Sequence, residues 1–352
     1  MDKAGAGRVT VYKALGKAVL AGILAAMLPF VFAGQAEARA EHQSAKVRQE
    51  NHVPGKASRA ARLAEAKIGL IPFEHSPFPY KGTIADTDRP FLDVVDDSRL
   101  GHTSARGGVY WEDETYSDRQ VLIAFPKGFT LARPVLIVVY FHGNGATLER
   151  DVIDRQQTVK QVADSGLNAV LLAPQFARYA QDSSAGSFWT PGLFAQFLDE
   201  AASKMVTLLG EPHARAVFAR SPVVLAAYSG GYNPAAYAAS VGGAGARLKG
   251  MILLDALYGE TDRFAEWIKA QRKTAFFFSA YTSSSESENT ELQNRLRDGK
   301  IAFRRTMPKR LSQGSIVFLN AGADASHDDF MTKAWVHEPL AWSLARIPGY
   351  RR

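Results

Sequence analysis

The stretch Val223-Val224-Leu225-Ala226-Ala227-Tyr228-Ser229-Gly230-Gly231-Tyr232-Asn233-Pro234-Ala235-Ala236 runs apolar for six residues, breaks at a serine among small residues and then turns helical. A short apolar run bounded in this way reads as a strand buried on both faces. The serine at its end matches a nucleophile elbow, a sharp strand-to-helix turn that holds its central residue in a strained conformation. Strand and helix can approach there only if the flanking residues are small, and Ala227 and Gly231 fill those two places. Such a turn lifts the Ser229 hydroxyl clear of the sheet and aims the first N–H groups of the following helix at a bound group. The same small-x-Ser-x-small spacing also arises by chance in an Ala/Gly-rich chain, so the stretch alone leaves an ordinary strand-turn-helix junction open. Its surroundings decide between the two.

Outward from the elbow, strand and helix patterns alternate. Strands are expected at 108–115, 119–125, 134–141, 168–173, 222–228, 249–254, 274–280 and 315–319. Helices are expected at 148–165, 193–209, 232–241, 261–271, 288–298 and 331–345, and a long loop at 174–192. Strict alternation of this kind implies a mostly parallel central sheet with helices on both faces, an α/β fold in one domain over 76–352. In open parallel sheets ligands bind beyond the carboxyl ends of the strands. Three strand runs end in chemically useful residues: 135–141 leads into His142-Gly143-Asn144-Gly145, 251–254 into Asp255, and 316–319 through a short loop into His327.

Together with Ser229 these give the chain order serine, aspartate, histidine, and over roughly 107–347 the sequence resembles the α/β-hydrolase family. The resemblance implies a catalytic set of Ser229 as nucleophile, His327 as its general base and Asp255 as the acid that orients the imidazole. Asp255 stands where the pancreatic-lipase subgroup carries its acid. Most members carry it after the next strand, where Glu286 and Glu288 are the alternatives here. The oxyanion of the tetrahedral intermediate would be met by the backbone N–H groups of Gly230 and Asn144, with Gly143 and Gly145 letting the loop bend toward the substrate. His142 is expected to brace that loop and, with Tyr228, Phe188 and Trp189, to border the substrate. The aromatic residues of 174–192 suit either a pocket wall or a small core of their own. The function implied is ester hydrolysis on a small-molecule or acyl substrate without metal or organic cofactor. An amidase or peptidase of cell-wall peptide, or a non-catalytic hydrolase-like binding protein, are the alternatives. A metal set of His327, Asp328 and Asp329 would still need a further ligand.

Composition restricts the partners. The net charge is +7, and 1–40 contributes five basic and two acidic residues, leaving +4 for the remainder. Basic residues beyond 40 are scattered, which argues against a nucleic-acid partner. There is no cysteine, so neither a disulfide nor a lipidated cysteine is possible. Lys3, Arg8, Lys13 and Lys17 precede an apolar run from Ala18 to Ala33 that holds Pro29 and ends near small residues at 36–40. That is the pattern of a signal peptide over 1–40, followed by a polar leader at 41–75. The expected location is periplasmic or secreted, with no stable membrane span once the segment is removed. Mass spectrometry of the exported protein should find its N-terminus at Arg39 or Glu41, and an intact Met1 would indicate an uncleaved anchor.

Overall fold

The computed structural model describes residues 62–352. The expected signal peptide and the leader up to 61 lie outside the described residues. The remainder of that leader is not a tail: β1 (Lys67–Pro72) pairs antiparallel with β5 (Gln120–Phe125) along its whole length. Its pattern of half-buried residues marks an edge strand, whose weaker apolar signal hid it among charged neighbours.

Between β1 and β5 the chain makes a separate three-stranded antiparallel sheet of β2 (Val94–Asp96), β3 (Arg99–Thr103) and β4 (Val109–Trp111). The strand expected at 108–115 therefore belongs to this small sheet and stops at Trp111, where the short helix α1 (Glu112–Thr115) begins. The main sheet continues with β6 (Leu136–Phe141), β7 (Ala169–Pro174), β8 (Val223–Tyr228), β9 (Leu248–Leu254), β10 (Phe276–Tyr281) and β11 (Ile316–Asn320). Its eight strands lie in the order β1-β5-β7-β6-β8-β9-β10-β11. β5 is antiparallel to both neighbours, and from β7 to β11 all pairs are parallel.

Successive side chains of a strand point to opposite faces, so every central strand must be apolar on both. In β6, Ile137, Val139 and Phe141 join one buried cluster, while Leu136, Val138 and Tyr140 join the other. The first face is covered by α3 (Leu193–Leu209), α4 (Arg215–Arg220), α5 (Tyr232–Ser240), α6 (Thr261–Gln271) and α7 (Glu286–Asp298), through residues such as Phe197, Phe218, Ala235, Phe264 and Leu292. The second is covered by α2 (Thr158–Asp164) and α8 (Pro339–Leu344), through Val162, Leu340 and Leu344.

Two helices differ from their sequence pattern. The helix expected at 148–165 is a π-helical turn over Leu148–Arg155 and then α2, separated at Gln157, whose φ is +51°. Apolar spacing cannot report this break, because it follows buried polar side chains: Asp151 accepts from the Thr147 N–H at 2.8 Å, and Gln156 accepts from the Tyr140 hydroxyl at 2.7 Å. The last helix begins only at Pro339, and His337, expected on it, lies exposed before it.

Close backbone approach fixes where β8 meets α5. A Cβ on Gly231 would stand 2.3 Å from the Phe141 carbonyl oxygen and 2.9 Å from its carbon, both backbone atoms that no side-chain rotation can move aside. Gly231→Ala should therefore cost about 1–3 kcal/mol through forced displacement of the turn. A lowered denaturation midpoint together with lost activity would show it, and a variant as stable as the parent would contradict this packing.

Candidate active site

Ser229 follows β8 with φ +53°, in the left-handed region that non-glycine residues avoid, and it is half-buried. The strain is what turns the hydroxyl away from the helix that follows. Gly143, in the loop after β6, lies against it, and a Cβ there would stand 2.7 Å from the Ser229 Cβ. Glycine at that place is a matter of space.

His327 reaches the serine from the loop after β11. Its Nε2 lies 2.9 Å from Ser229 Oγ, and its Nδ1 lies 2.7 Å from Asp255 Oδ2. The ring lies nearly parallel to that of Tyr228, 5.1 Å away at 19°, and the Tyr228 hydroxyl donates to the His327 carbonyl at 2.7 Å. Tyr228, expected at the substrate, thus holds the histidine loop instead.

Asp255 is fully buried after β9, with φ +44°. Burial alone would raise its pKa, but hydrogen bonds from His327, Ser285 and Thr282 outweigh it and hold the carboxyl at about 2. Oδ1 accepts from the Thr282 N–H at 3.0 Å and the Ser285 hydroxyl at 2.5 Å, and Oδ2 accepts from the Thr282 hydroxyl at 2.8 Å and the Ser284 hydroxyl at 2.9 Å. These donors come from the loop after β10, the one that leads to Glu286 and Glu288. It supplies hydroxyls to an acid carried by its neighbour strand. Glu286 is exposed, opens α7 and accepts from Asn320 at 3.3 Å, and Glu288 lies in the first turn of the same helix.

Tyr258 was not singled out by the sequence. Its hydroxyl lies 3.1 Å from His327 Nδ1 and 2.8 Å from Ser284 Oγ. With the Ser284 hydroxyl donating to Asp255, Tyr258 donates to Ser284 and accepts a second branch of the imidazole N–H. Burial raises its pKa to about 12, so the phenol stays protonated. The signal that could have found these residues is the run Thr282-Ser283-Ser284-Ser285, four hydroxyl residues in succession directly after a strand.

Asn144 and Gly230 are neighbours in the site: a Cβ on Gly230 would fall 1.9 Å from Asn144 Oδ1, and the Ser183 hydroxyl donates to that same oxygen at 2.9 Å. The 143–147 loop is tied down on its far side, where Arg150 donates to the Gly145 carbonyl at 2.9 Å.

His142 braces this loop, as expected from the sequence. It is buried, its Nε2 accepts from the Phe176 N–H at 2.9 Å, and its Nδ1 donates to the Gly143 carbonyl at 2.8 Å. Burial lowers its pKa to about 4, so the ring is neutral. Phe188 is no pocket wall. It is fully buried among Phe141, Phe176, Phe194 and Phe197, because the 174–192 segment folds a turn of 3-10 helix (Gly186–Trp189) onto the core. Trp189, half-buried, does line a cleft and donates to Asn233 Oδ1 at 3.1 Å. Among the described residues, no three His, Asp or Glu side chains converge as metal ligands, so His327, Asp328 and Asp329 do not form such a set. No helix of the described residues is long and apolar enough to cross a membrane.

No family model and no curated protein matches the chain. Solved structures to which it is similar include a feruloyl esterase module from Clostridium thermocellum, at 13% identity, covering 78% of this chain and 96% of that one with a TM-score of 0.41. An S-formylglutathione hydrolase from Agrobacterium tumefaciens is 11% identical, with 82% and 98% covered and a TM-score of 0.41. An IroE-like serine hydrolase from Shewanella oneidensis is 13% identical, with 64% and 74% covered and a TM-score of 0.38. On its sheet order, parallel core and strand-to-helix elbow, the fold is that of the α/β-hydrolases.

If Asp255 orients the imidazole, Asp255→Asn should keep the fold while turnover falls by up to about 10⁴. Glu286→Gln and Glu288→Gln should stay within a factor of about two, since neither carboxylate is bonded to the imidazole. The opposite ranking in steady-state rates would move the acid to α7.

Proposed function

We propose that this chain is a serine hydrolase of carboxylic esters that works through an acyl-enzyme on Ser229, exported to the periplasm or the medium. One observation carries the reading: the unbroken line from Ser229 Oγ to His327 Nε2 at 2.9 Å and from His327 Nδ1 to Asp255 Oδ2 at 2.7 Å. Serine is a poor nucleophile unless a base accepts its proton as it attacks. In the proposed reaction Oγ bonds to the ester carbon while its proton passes to His327 Nε2, and the carbonyl π pair moves onto oxygen. The N–H groups of Gly230 and Asn144 meet that oxyanion. Collapse of the intermediate breaks the bond to the alcohol oxygen, which leaves with the proton from Nε2. Water then repeats the sequence against the acyl group, with the imidazole again taking and returning one proton, so that carboxylic acid and free serine result.

Asp255 serves this cycle by its charge. Because the carboxyl is held at about 2, it remains an anion facing the imidazole throughout the neutral range and favours the imidazolium that forms in each transition state. The same lowered pKa fixes the pH behaviour. A folded-state carboxyl depressed below its ordinary value contributes stability above that value and loses it only as pH falls through about 2. Mild acidification should therefore leave the fold intact as far as Asp255 is concerned.

A binding protein with an idle serine would gain nothing from the arrangement. A left-handed serine and a left-handed aspartate each cost on the order of 1–3 kcal/mol, and both are kept here at the two ends of one histidine. Ester rather than amide as the scissile group rests on analogy within the fold.

A fluorophosphonate probe should label the protein once, at Ser229. Ser229→Ala should fold normally and lose nearly all turnover, keeping only the roughly thousandfold advantage over water that binding and the oxyanion site provide. Labelling elsewhere, or undiminished turnover in the folded variant, would refute the mechanism.

A further inference from the structure

A cleft of about 410 Å³ lies beside the serine, and the hydrolytic steps make no use of it. Its walls come from the turn after β3, from 182–189 and from the start of α5. Two contacts set it against the nucleophile. Ser183, in its wall, donates to Asn144 Oδ1, and Tyr232, also in its wall, opens the helix that follows Ser229. The lining combines apolar surface from Ile84, Trp189 and Tyr232 with hydroxyl groups, Asn233 and the guanidinium groups of Arg89 and Arg106.

Arg106 is the group without an occupation. Among the described residues its guanidinium has neither an ion pair nor a hydrogen bond, and it lies 5.9 Å over the ring of Tyr258, whose hydroxyl reaches His327. Its turn is anchored: the Arg106 N–H donates to Ser104 Oγ at 3.2 Å, and the Ser104 hydroxyl donates to the Gln181 carbonyl at 2.7 Å. Arg89 adds a second positive charge, partly used by Asp93 at 3.4 Å. The carboxylates bordering the cleft are engaged. Asp182 is buried and accepts from the Tyr116 hydroxyl and from the N–H and hydroxyl of Ser184, and Glu260 accepts from Asn233 and Arg263. The group left free to bond an anion is therefore the Arg106 guanidinium, planar and suited to bidentate bonding.

Resting on the hydrolase reading above, we infer that this cleft binds a carboxylate-bearing part of the substrate through Arg106, assisted by Arg89, and that the enzyme prefers anionic to neutral esters. The full chain is assayed with two matched pairs. 4-Nitrophenyl hemiglutarate and 4-nitrophenyl pentanoate differ by a carboxylate in the acyl half, and 4-carboxyphenyl and 4-carbamoylphenyl acetate differ by one in the leaving half. After subtraction of spontaneous hydrolysis, the anionic member of at least one pair should be favoured in kcat/KM by roughly fivefold or more, and the ratio should fall with added salt. Arg106→Gln, an exposed substitution without a folded partner to lose, should bring that ratio toward one.

Ratios near one in both pairs, or a preference that Arg106→Gln leaves intact, would overturn the inference, while turnover of the neutral esters would leave the hydrolase reading standing. Should no ester be turned over, the hydrolase reading fails and binding decides the inference by itself. Calorimetry of Ser229→Ala with the hemiglutarate and the pentanoate supports it if the anion binds more tightly by roughly fivefold and Arg106→Gln removes the difference. Equal affinities refute it.

Discussion

A carboxylate with no exposure to water is the constraint from which the site follows. Asp255 stays ionised because donors surround it, and they converge from separate strand ends: Thr282, Ser284 and Ser285 after β10, and His327 after β11. An unpaired buried charge costs several kcal/mol, so the loops that satisfy it cannot drift apart without exposing that cost. The backbone adds to the knot, since the Asp255 N–H donates to the Ala280 carbonyl at 2.8 Å. Three strand ends of a parallel sheet are thereby held in register at their carboxyl edge. The imidazole is one of the groups held.

The other half of the site depends on space. Gly143, Gly230 and Gly231 sit where a methyl group would strike the serine, the Asn144 side chain or the backbone of β6. The elbow is a place where two main chains and a side chain share a volume that admits nothing larger than hydrogen. Around this rigid centre the rim is more varied. The π-helical turn at 148–155, the small sheet and the 182–189 segment are all additions to the sheet-and-helix frame, and each contributes a residue that touches the oxyanion loop or the cleft. A fixed reaction centre with a separately built rim is how one fold accommodates different substrates.

Expectations that rested on apolar runs met the structure closely, because a strand buried on both faces is apolar along most of its length: β6, β7, β8, β9 and β10 all lie within two residues of where the runs put them. Elements at the rim escaped. β1 is an edge strand with charged neighbours, β2 is three residues long, and α4 has only Phe218 fully buried, so none carries a periodic signal. Phe188 and Trp189 are adjacent and alike in composition, yet one closes the core and the other faces the cleft, a difference made by one turn of 3-10 helix.

By itself, then, the sequence determined the alternation of strand and helix, the elbow with its small neighbours, and the order serine, aspartate, histidine along the chain. Those are local properties, written in runs and spacings of a few residues. Only the tertiary structure decided that a run of hydroxyls 27 to 30 residues beyond Asp255 would cradle its carboxylate. It alone decided that Tyr258 would reach the imidazole and that the Tyr228 hydroxyl would hold the histidine loop. Contacts of that kind join residues far apart in the chain, and their partners are chosen by how the sheet stacks its strand ends, which no local pattern records.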